Sequence, residues 1–467
     1  MHRSLPWLAA ASLALLVAAL TPHRHWDPDE FEHAQVAWLI GQGLIPFADF
    51  FEHHTPLWHH LAAIPASWLG VPTAPAGPMA FLVGARFVSL AASIATVALT
   101  WAFARRLADP SAASIAAALL ASASFFILNG MEVRPDPLAV LGLVATSYAL
   151  ARSAASAHRG WALAAGIAYG LAVMASQKAI CAAPGLAIAF LWVSAGRHGT
   201  STTWLLAAIA AVAALLATLP VLAWFAARGA LDDFFAHTVI ANLYWTCAQD
   251  HMVWHHLKAM IRHDAVLGLL AVIGAIGLAR HRRGAMILVP LTSLAIGAVA
   301  LPVVQEQYFV MALPYAAIAA GWAAVRLHRP LTTPAARIGV AIAAALLLLA
   351  TTARNLHTAF DRDNGATRAK LAYLLATVPP EATVMGGWSP GVAFRLPAWR
   401  YFFLHSEIQT HIPASAYGAL AESLRTGQVR PEVIDFDAAM TELPPAVRAE
   451  IHRLYAPTGV GTLLRRR

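Results

Sequence analysis

Long apolar segments recur along most of this chain, and they limit its possible folds more than any other feature. About 20 helical residues are needed to cross the hydrocarbon core of a bilayer. The stretch 161–196 contains one charge, Lys178, and is too long for a single crossing. We therefore interpret it as a hairpin with Gln177 and Lys178 at its tip. The eleven predicted spans are roughly 5–21, 79–104, 110–128, 137–151, 161–177, 179–196, 202–226, 265–279, 285–304, 308–325 and 336–353.

The composition agrees with a membrane protein. Hydrophobic residues make up 59% of the 467 residues and charged residues 12%, against about 25% charged residues in soluble domains. A soluble fold of this size would lack the polar residues to cover its surface, and a chain this apolar is not disordered. We therefore predict an all-α polytopic membrane protein with about eleven transmembrane helices.

Charged residues are divided unequally between the two predicted faces. With the N-terminus inside, every inner loop carries arginine, as the positive-inside rule requires. Because the basic residues follow this topology, the net charge of +8 does not predict a nucleic-acid partner. Of the 14 Asp and Glu in residues 1–352, 13 fall outside and only Asp109 falls inside. Acids have little weight in the topology rule, so their one-sidedness indicates a functional site on the outer face.

The two ends of the chain lead to separate predictions. Residues 5–21 also resemble a secretory signal peptide, but no small-x-small cleavage site precedes Thr21-Pro22, and we favour an uncleaved first span. Eleven crossings place the C-terminal tail outside. We predict a transmembrane catalytic domain at 1–353 and a small soluble periplasmic α/β domain at 354–467. Its expected strands are 382–385, 401–404 and 433–436.

The first outer loop, 22–78, is predicted to carry interfacial helices and a group of acids. Asp27 and Pro28 suit the start of an amphipathic helix that runs to about Gly41. Asp29 and Glu30 follow, and they either complement the helix dipole or belong to a site. Aromatic residues indicate that the loop lies in the membrane interface; they are Trp38, Phe47, Phe50, Phe51, Trp58 and Trp68.

Two shorter outer elements add charges at the same face. The second outer loop, 129–136, holds Glu132, Arg134 and Asp136, and Lys178 lies at the hairpin tip. A short loop needs polar residues and a lysine there can snorkel to the interface, so each residue also has a non-catalytic explanation. Together the cations and carboxylates suit a lipid-linked phosphate and acid–base or metal chemistry.

The fourth outer loop, 227–264, is rich in aspartate and histidine. His251 and His255 are four residues apart, so a helix would place them on one face, as metal ligands often are. Chance pairs are also expected in a chain with 21 histidines. The histidines of the first outer loop, His53 among them, are equally ambiguous.

These residues, in this order, resemble the GT-C glycosyltransferases. The resemblance is to the bacterial polyprenyl-phosphate-sugar-dependent group related to protein O-mannosyltransferases and aminoarabinose transferases. It covers most of residues 5–330. Each motif is weak alone, and the ordered set is fairly specific. The motifs are Asp29-Glu30, Phe51-Glu-His-His-Thr-Pro56, Ala85-Arg-Phe87, Glu132-Val-Arg-Pro-Asp136, Ser176-Gln-Lys178 and Gln307-Tyr-Phe-Val-Met-Ala-Leu-Pro314.

The resemblance implies transfer of a hexosyl or pentosyl sugar from a polyprenyl-phosphate donor, by one inverting displacement. The acceptor would be a lipid, a polysaccharide or a protein, at the periplasmic face of a bacterial inner membrane. Asp29 looks like the catalytic carboxylate, with Glu30 beside it. Arg134 and Lys178 would hold the donor phosphate, and Asp136 would orient them or the acceptor.

The resemblance also implies a second acidic site residue, Glu52. In some relatives this position contributes to a metal site, so a divalent ion is a candidate cofactor, with Glu52 and His255 as candidate ligands and His251 or His256 as alternatives to His255. His53 stands where aminoarabinose transferases have lysine, which changes one phosphate or metal contact.

A multi-pass transporter or flippase of a lipid-linked substrate is the alternative function. Coupled transporters place ionisable residues near the bilayer midplane. The predicted spans hold almost none, since Arg86 lies near an outer end and Lys178 lies at a turn. A non-catalytic subunit would leave the outer acids unexplained. The distribution of charge therefore favours the transferase.

Overall fold

The structure is a computed structural model, and it describes residues 5–69, 77–244, 252–300, 307–330, 333–360, 363–387, 394–404 and 406–467. The chain forms two compact units. The helical unit comprises Met1–Arg24, Phe87–Leu222 and His251–Asp361, and the loop-and-sheet unit comprises His25–Arg86, Ala223–Asp250 and Arg362–Arg467.

Helices dominate the described residues. Short 3-10 turns occur at Thr21–His23, Gln177–Ala182 and Arg282–Gly284, and a π-helical turn at Ala236–Ala241. The α-helices are α1 (Leu5–Leu20), α2 (Pro28–Gly41), α3 (Leu57–Trp68), α4 (Gly77–Leu107), α5 (Pro110–Ser122), α6 (Ser124–Gly130), α7 (Asp136–Ser156), α8 (Arg159–Ala175), α9 (Ala183–His198), α10 (Thr200–Ala226), α11 (Leu231–Phe235), α12 (Met252–Leu278), α13 (Ala285–Ala300), α14 (Gln307–Val310), α15 (Leu313–His328), α16 (Pro334–Phe360), α17 (Gly365–Thr377), α18 (Ser406–Gln409), α19 (Ala414–Thr426), α20 (Ala438–Thr441) and α21 (Pro445–Leu454).

Seven helical segments of the described residues are long and apolar enough to cross a membrane, or eight if α5 and α6, bent by 64°, form one span. Each of the eleven predicted segments is helical over most of its length. The polytopic helical fold is therefore confirmed, while the count of eleven stays a prediction because helices such as α1 and α8 are shorter than a full crossing. The seven segments are Gly77–Leu107, Asp136–Ser156, Gln177–His198, Thr200–Ala226, Leu257–Leu278, Arg282–Ala300 and Pro334–Thr358.

Small residues let the helices of the helical unit approach closely. A Cβ at Gly166 of α8 would overlap the carbonyl oxygen of Ala210 in α10. A Cβ at Gly274 of α12 would overlap the carbonyl oxygen of Ala319 in α15. Lipid tails are as apolar as these side chains, so close packing rather than the hydrophobic effect holds such helices together.

A buried polar network stabilises the bend between α5 and α6. The Ser124 N–H donates to both carboxylate oxygens of Asp264, at 3.0 Å each, and Asn355 Nδ2 donates to the Ser122 carbonyl at 3.1 Å. A backbone group left without a partner inside a bilayer costs on the order of several kcal/mol. Asp264 and Asn355 therefore allow α6 to turn and lead into the loop at 131–135.

Part of the predicted fourth outer loop is helical. Residues 252–264, which were assigned to that loop, belong to α12, and Asp264 is buried at a kink of this helix with φ −124° and ψ 32°. The charges of Lys258, Arg262 and Asp264 interrupt the apolar pattern, which is why this stretch resembled a loop.

The C-terminal tail contains a five-stranded sheet in the order β2-β1-β3-β5-β4. Strand β1 pairs in parallel with β2 and β3, whereas β5 pairs antiparallel with β3 and β4. A strand at 401–404 was wrongly expected: these residues form no strand, the Leu404 N–H donates to the Gly387 carbonyl at 2.7 Å, and the apolar side chains of the segment are buried. The strands are β1 (Thr383–Gly386), β2 (Leu396–Pro397), β3 (Val433–Asp435), β4 (Tyr455–Pro457) and β5 (Leu463–Arg466).

The tail packs with the first outer loop. Gln35 of α2 donates to the Arg395 carbonyl and accepts from the Phe394 N–H, both at 2.8 Å. The backbone N–H of Trp26 donates to Asn364 Oδ1 at 2.7 Å. Because of these contacts the tail belongs to a unit that also contains the loop, and the predicted domain boundary at 353/354 falls inside α16.

Candidate functional site

The first acidic group lies at the N-terminus of α2. Asp27 accepts from the Asp29 N–H at 3.1 Å, and Glu30 Oε1 accepts from the Asp27 N–H at 3.1 Å. This capping box, with Pro28 at the first helical position, satisfies backbone donors that a helix start leaves open. The predicted helix start is confirmed, and the cap fixes where Asp29 and Glu30 leave the backbone.

Glu30 forms a buried ion pair with Arg86. Its two oxygens accept from Nε and NH2 of Arg86 at 2.7 Å each, and both side chains are 0% exposed. Arg86 also donates to the His25 carbonyl at 2.9 Å and lies 3.6 Å from the ring centroid of Trp26. A bidentate arginine holds a carboxylate in one orientation. The carboxylate of Glu30 is therefore fixed by Arg86, whereas the neighbouring Asp29 is only partly buried.

Four metal-binding side chains converge in the loop-and-sheet unit. Glu32, Glu52, His53 and His54 each offer a ligand atom, and these atoms lie within 4.8 Å of one another. We call this group the Glu/His cluster. Glu52 Oε1 accepts from the N–H groups of His53 and His54 at 2.8 Å each and lies 2.7 Å from His54 Nδ1.

The Glu/His cluster fits a divalent ion. Glu52 Oε2 is buried and has no hydrogen-bond partner among the described residues. Two carboxylates and two imidazoles are a donor set suited to zinc and similar ions. The predicted ligand Glu52 lies in this cluster, together with His53.

His255 does not belong to the Glu/His cluster. It is exposed on α12, in the helical unit. His251 lies outside the described residues, as does the side chain of His256. The useful signal in the sequence was instead the run Phe51-Glu-His-His54, which places three potential ligands side by side.

Two further histidines lie beside the cluster. His33 Nδ1 and His59 Nε2 are 3.1 Å apart, and both side chains are buried. Burial lowers the pKa of His59 to about 4, Glu52 opposes that change, and His54 and His60 add to it. His59 is therefore neutral at neutral pH. Asn242 Nδ2 donates to the His53 carbonyl at 3.0 Å and helps to hold the backbone of the cluster.

In the helical unit, Glu132 lies between two arginines. Arg24 and Arg134 each donate to one of its carboxylate oxygens, and all three residues are buried. Burial by itself raises the pKa of Glu132, but the charges of Arg24 and Arg134 and their hydrogen bonds outweigh it, so the pKa is lowered. Arg24 was not identified from the sequence.

Lys178 points to a carboxylate rather than along the membrane surface. Its Nζ lies 3.0 Å from Asp136 Oδ1, which also accepts from Ser176 Oγ at 3.2 Å. The Lys178 Nζ lies 4.8 Å from the ring centroid of Tyr308. The side chain of Lys178 is 10% exposed, so snorkelling does not explain it.

Cations gather beside carboxylates at one place in the helical unit. Three cations and two carboxylates, all largely buried, give this set a formal charge of +1. Buried arginine and lysine side chains are strong donors, and phosphate oxygens accept charge-assisted hydrogen bonds from them well. We call this set the basic cluster; it consists of Arg24, Glu132, Arg134, Asp136 and Lys178.

The predicted site residues thus fall into two groups. Arg134, Asp136 and Lys178 lie in the basic cluster of the helical unit, and Asp29, Glu30, Glu52 and His53 lie in the loop-and-sheet unit. Sequence reasoning missed the partners Arg24, Glu32 and Arg86 as site residues. Of these, only Arg86 lies within one of the motifs.

Comparison with known proteins supports the resemblance seen in the motifs. Residues 80–224 match the family model of dolichyl-phosphate-mannose-protein mannosyltransferases. A search of curated proteins finds no match. The match to the family model covers less than half of the chain, and it lies within residues 5–330, the segment of the resemblance.

Solved structures share the fold over nearly the whole chain. ArnT from Cupriavidus metallidurans bound to undecaprenyl phosphate is 14% identical, with a TM-score of 0.69 over 99% of this chain and 98% of that chain. The archaeal oligosaccharyltransferase AglB from Archaeoglobus fulgidus, with an inhibitory peptide and a dolichol-phosphate, is 13% identical, with a TM-score of 0.61 over 98% and 74%. An Archaeoglobus fulgidus oligosaccharyltransferase complex with Zn and sulfate is 13% identical, with a TM-score of 0.57 over 98% and 73%.

These matches establish the fold. The chain is a multi-pass membrane protein with the fold of ArnT, and the resemblance to GT-C glycosyltransferases is confirmed.

Proposed function

We propose that this protein is an integral-membrane glycosyltransferase. It transfers a sugar from a polyprenyl-phosphate donor to a lipid, polysaccharide or protein acceptor. The observation that carries the proposal is the basic cluster, whose buried arginines and lysine suit a lipid-linked phosphate, in a chain with the fold of ArnT. The arginines of the predicted inner loops support a site that faces the periplasm of a bacterial inner membrane.

The proposed reaction is a single displacement. The acceptor oxygen attacks the anomeric carbon while the bond from that carbon to the donor phosphate oxygen breaks, which inverts the anomeric centre. Asp29 takes the proton of the acceptor hydroxyl as general base. The departing polyprenyl phosphate gains one negative charge, and Arg134 and Lys178 stabilise it.

The pairings in the two units support positioning roles for the neighbouring residues. Asp136 holds Lys178, and Glu132 holds Arg134 together with Arg24. Glu30, through Arg86, fixes the first turn of α2, from which Asp29 projects. Such fixed groups need no reorganisation when charge develops in the transition state.

A divalent ion held by the Glu/His cluster is part of the proposal. When bound, such an ion supplies positive charge for an anionic leaving group. Glu52→Gln is expected to weaken Zn²⁺ or Mn²⁺ binding about a hundredfold, because it removes an anionic ligand. Titration calorimetry on the purified protein measures this affinity.

His255→Gln is the matched control for metal binding. His255 is exposed and lies outside the cluster, so its replacement should leave the affinity unchanged. Equal binding by wild type and Glu52→Gln would show that the cluster is not the metal site.

Lys178→Gln is expected to raise the KM for the lipid-linked donor about thirtyfold. A hydrogen bond to a charged group contributes on the order of 2 kcal/mol, and the variant removes the cation that faces the phosphate. Initial rates at varied donor concentration, in membranes of equal protein content, provide the measurement.

Lys258→Gln supplies the control for donor binding, since Lys258 is exposed on α12. Its kinetics should match those of the wild type. A donor KM that is unchanged in Lys178→Gln would remove Lys178 from the phosphate site.

Mass spectrometry of envelope glycolipids, polysaccharides and glycoproteins tests the function itself. Cells that lack the chain should lose one sugar mass from a defined glycan, and cells with the wild-type chain should retain it. That mass identifies the sugar class and the acceptor. If instead lipid-linked sugars accumulate on the inner leaflet while transfer in permeabilised cells continues, the protein is a transporter.

A further inference from the structure

A cavity of about 540 Å³ lies at one end of the helical unit. It is formed where the loop from α4 to α5, the loop from α12 to α13 and the end of α15 come together. Residue Asp109 precedes α5 at this end, whereas α6 and the loop at 131–135 follow the other end of α5. The cavity and the basic cluster therefore lie at opposite ends of the α5–α6 segment.

The cavity carries a large excess of positive charge. Five arginines and one carboxylate line it, and the carboxylate, Asp109, lies 3.5 Å from Arg329. Arg282 donates through Nε to the Trp192 carbonyl at 3.0 Å. No carboxylate of the described residues pairs with the remaining three arginines, Arg280, Arg283 and Arg326. We call the cavity the arginine pocket.

Apart from His281, the rest of the lining is apolar. Leu278, Ile287, Trp322 and Val325 line the arginine pocket beside the charged residues. Gly277 leaves room for the indole of Trp322, since a Cβ there would overlap its ring. A purely inorganic anion would gain nothing from these surfaces, whereas an amphiphile would use both. Tryptophan at the ends of membrane helices also marks the depth at which lipid headgroups lie.

We propose that the arginine pocket binds an anionic phospholipid headgroup. The phosphate contacts Arg280, Arg283 and Arg326, and the glycerol and upper acyl carbons pack on Trp322 and Val325. Basic pockets between membrane helices bind such headgroups in other membrane proteins. The bound lipid holds together the ends of α4, α12 and α15. This binding does not depend on the transferase activity.

The test uses the full-length protein in nanodiscs of phosphatidylcholine, titrated with cardiolipin or phosphatidylglycerol. Native mass spectrometry counts retained lipids, and thermal unfolding reports the gain in stability. Arg280→Gln/Arg283→Gln/Arg326→Gln is expected to lose about a hundredfold in affinity, since each arginine near an anionic lipid contributes on the order of 1 kcal/mol. The control Arg106→Gln/Arg159→Gln/Arg197→Gln removes the same charge from exposed arginines outside the pocket and should bind as the wild type does.

Val325→Trp is a second variant that keeps every arginine. It fills the apolar part of the pocket, so it should weaken lipid binding without a change of charge. The proposal is overturned if the triple variant and the wild type bind anionic lipid equally. It is also overturned if millimolar inorganic phosphate protects the wild type against unfolding as well as the lipid does, because the ligand would then be a soluble anion.

Discussion

Asp29→Asn is expected to lower sugar transfer about a thousandfold while the protein stays folded in the membrane. Asparagine has nearly the same shape as aspartate and cannot take the proton of an acceptor hydroxyl, and loss of a general base costs about 10²- to 10⁴-fold. Asp29 is partly buried at the second position of α2, where the capping box of Asp27 and Glu30 holds the backbone. Rates of transfer from a lipid-linked donor in isolated membranes measure the effect.

Two comparisons make the Asp29 result specific. Asp232→Asn removes the same charge from an exposed position at the start of α11 and should keep full activity. Both variants should reach wild-type amounts in the membrane and elute normally from a sizing column. Full transfer activity in Asp29→Asn would exclude Asp29 as the base.

Arg86→Gln is expected to destabilise the loop-and-sheet unit by about 3–5 kcal/mol, the usual cost of leaving one partner of a buried ion pair alone. Glu30 and Arg86 are both fully buried, and the pair also anchors the His25 carbonyl and stacks on Trp26. Circular dichroism of the detergent-solubilised protein at rising denaturant concentration measures this loss of stability.

The same pair offers an internal test of the ion-pair explanation. Glu30→Leu/Arg86→Met replaces both charges with apolar groups and should recover part of the stability lost in Arg86→Gln. The exposed pair of Arg465 and Glu432 serves as the control, since Arg465→Gln should change stability little. An Arg86→Gln protein as stable as the Arg465→Gln protein would contradict the proposed role of the pair.

The helices were predictable because their signal is local. A span requires only a run of apolar residues, and the segment 161–196 gave two helices with Gln177 and Lys178 between them, as expected. The start of α2 was equally local, since Asp27 and Pro28 act within one turn. The helix over 252–264 was not predicted because its charges interrupt the apolar run, and one of them, Asp264, accepts from the distant Ser124 N–H.

The two clusters were predictable only in part. The motifs contained Glu52, His53, Arg134 and Lys178, but nothing local distinguishes a charge that forms a site from one that is solvated. Arg24 meets Glu132 and Glu32 lies near Glu52 only after the chain folds. The sequence could name residues of the two clusters without naming their partners.

The sequence by itself determined that this is a polytopic helical membrane protein, because hydrophobic length is a property of neighbouring residues. The tertiary structure alone decided that Glu30 is paired to Arg86, that Glu52 joins Glu32, His53 and His54, and that five arginines share one pocket. Ion pairs and ligand clusters depend on distances of a few ångströms between residues far apart in the chain, and only folding sets those distances.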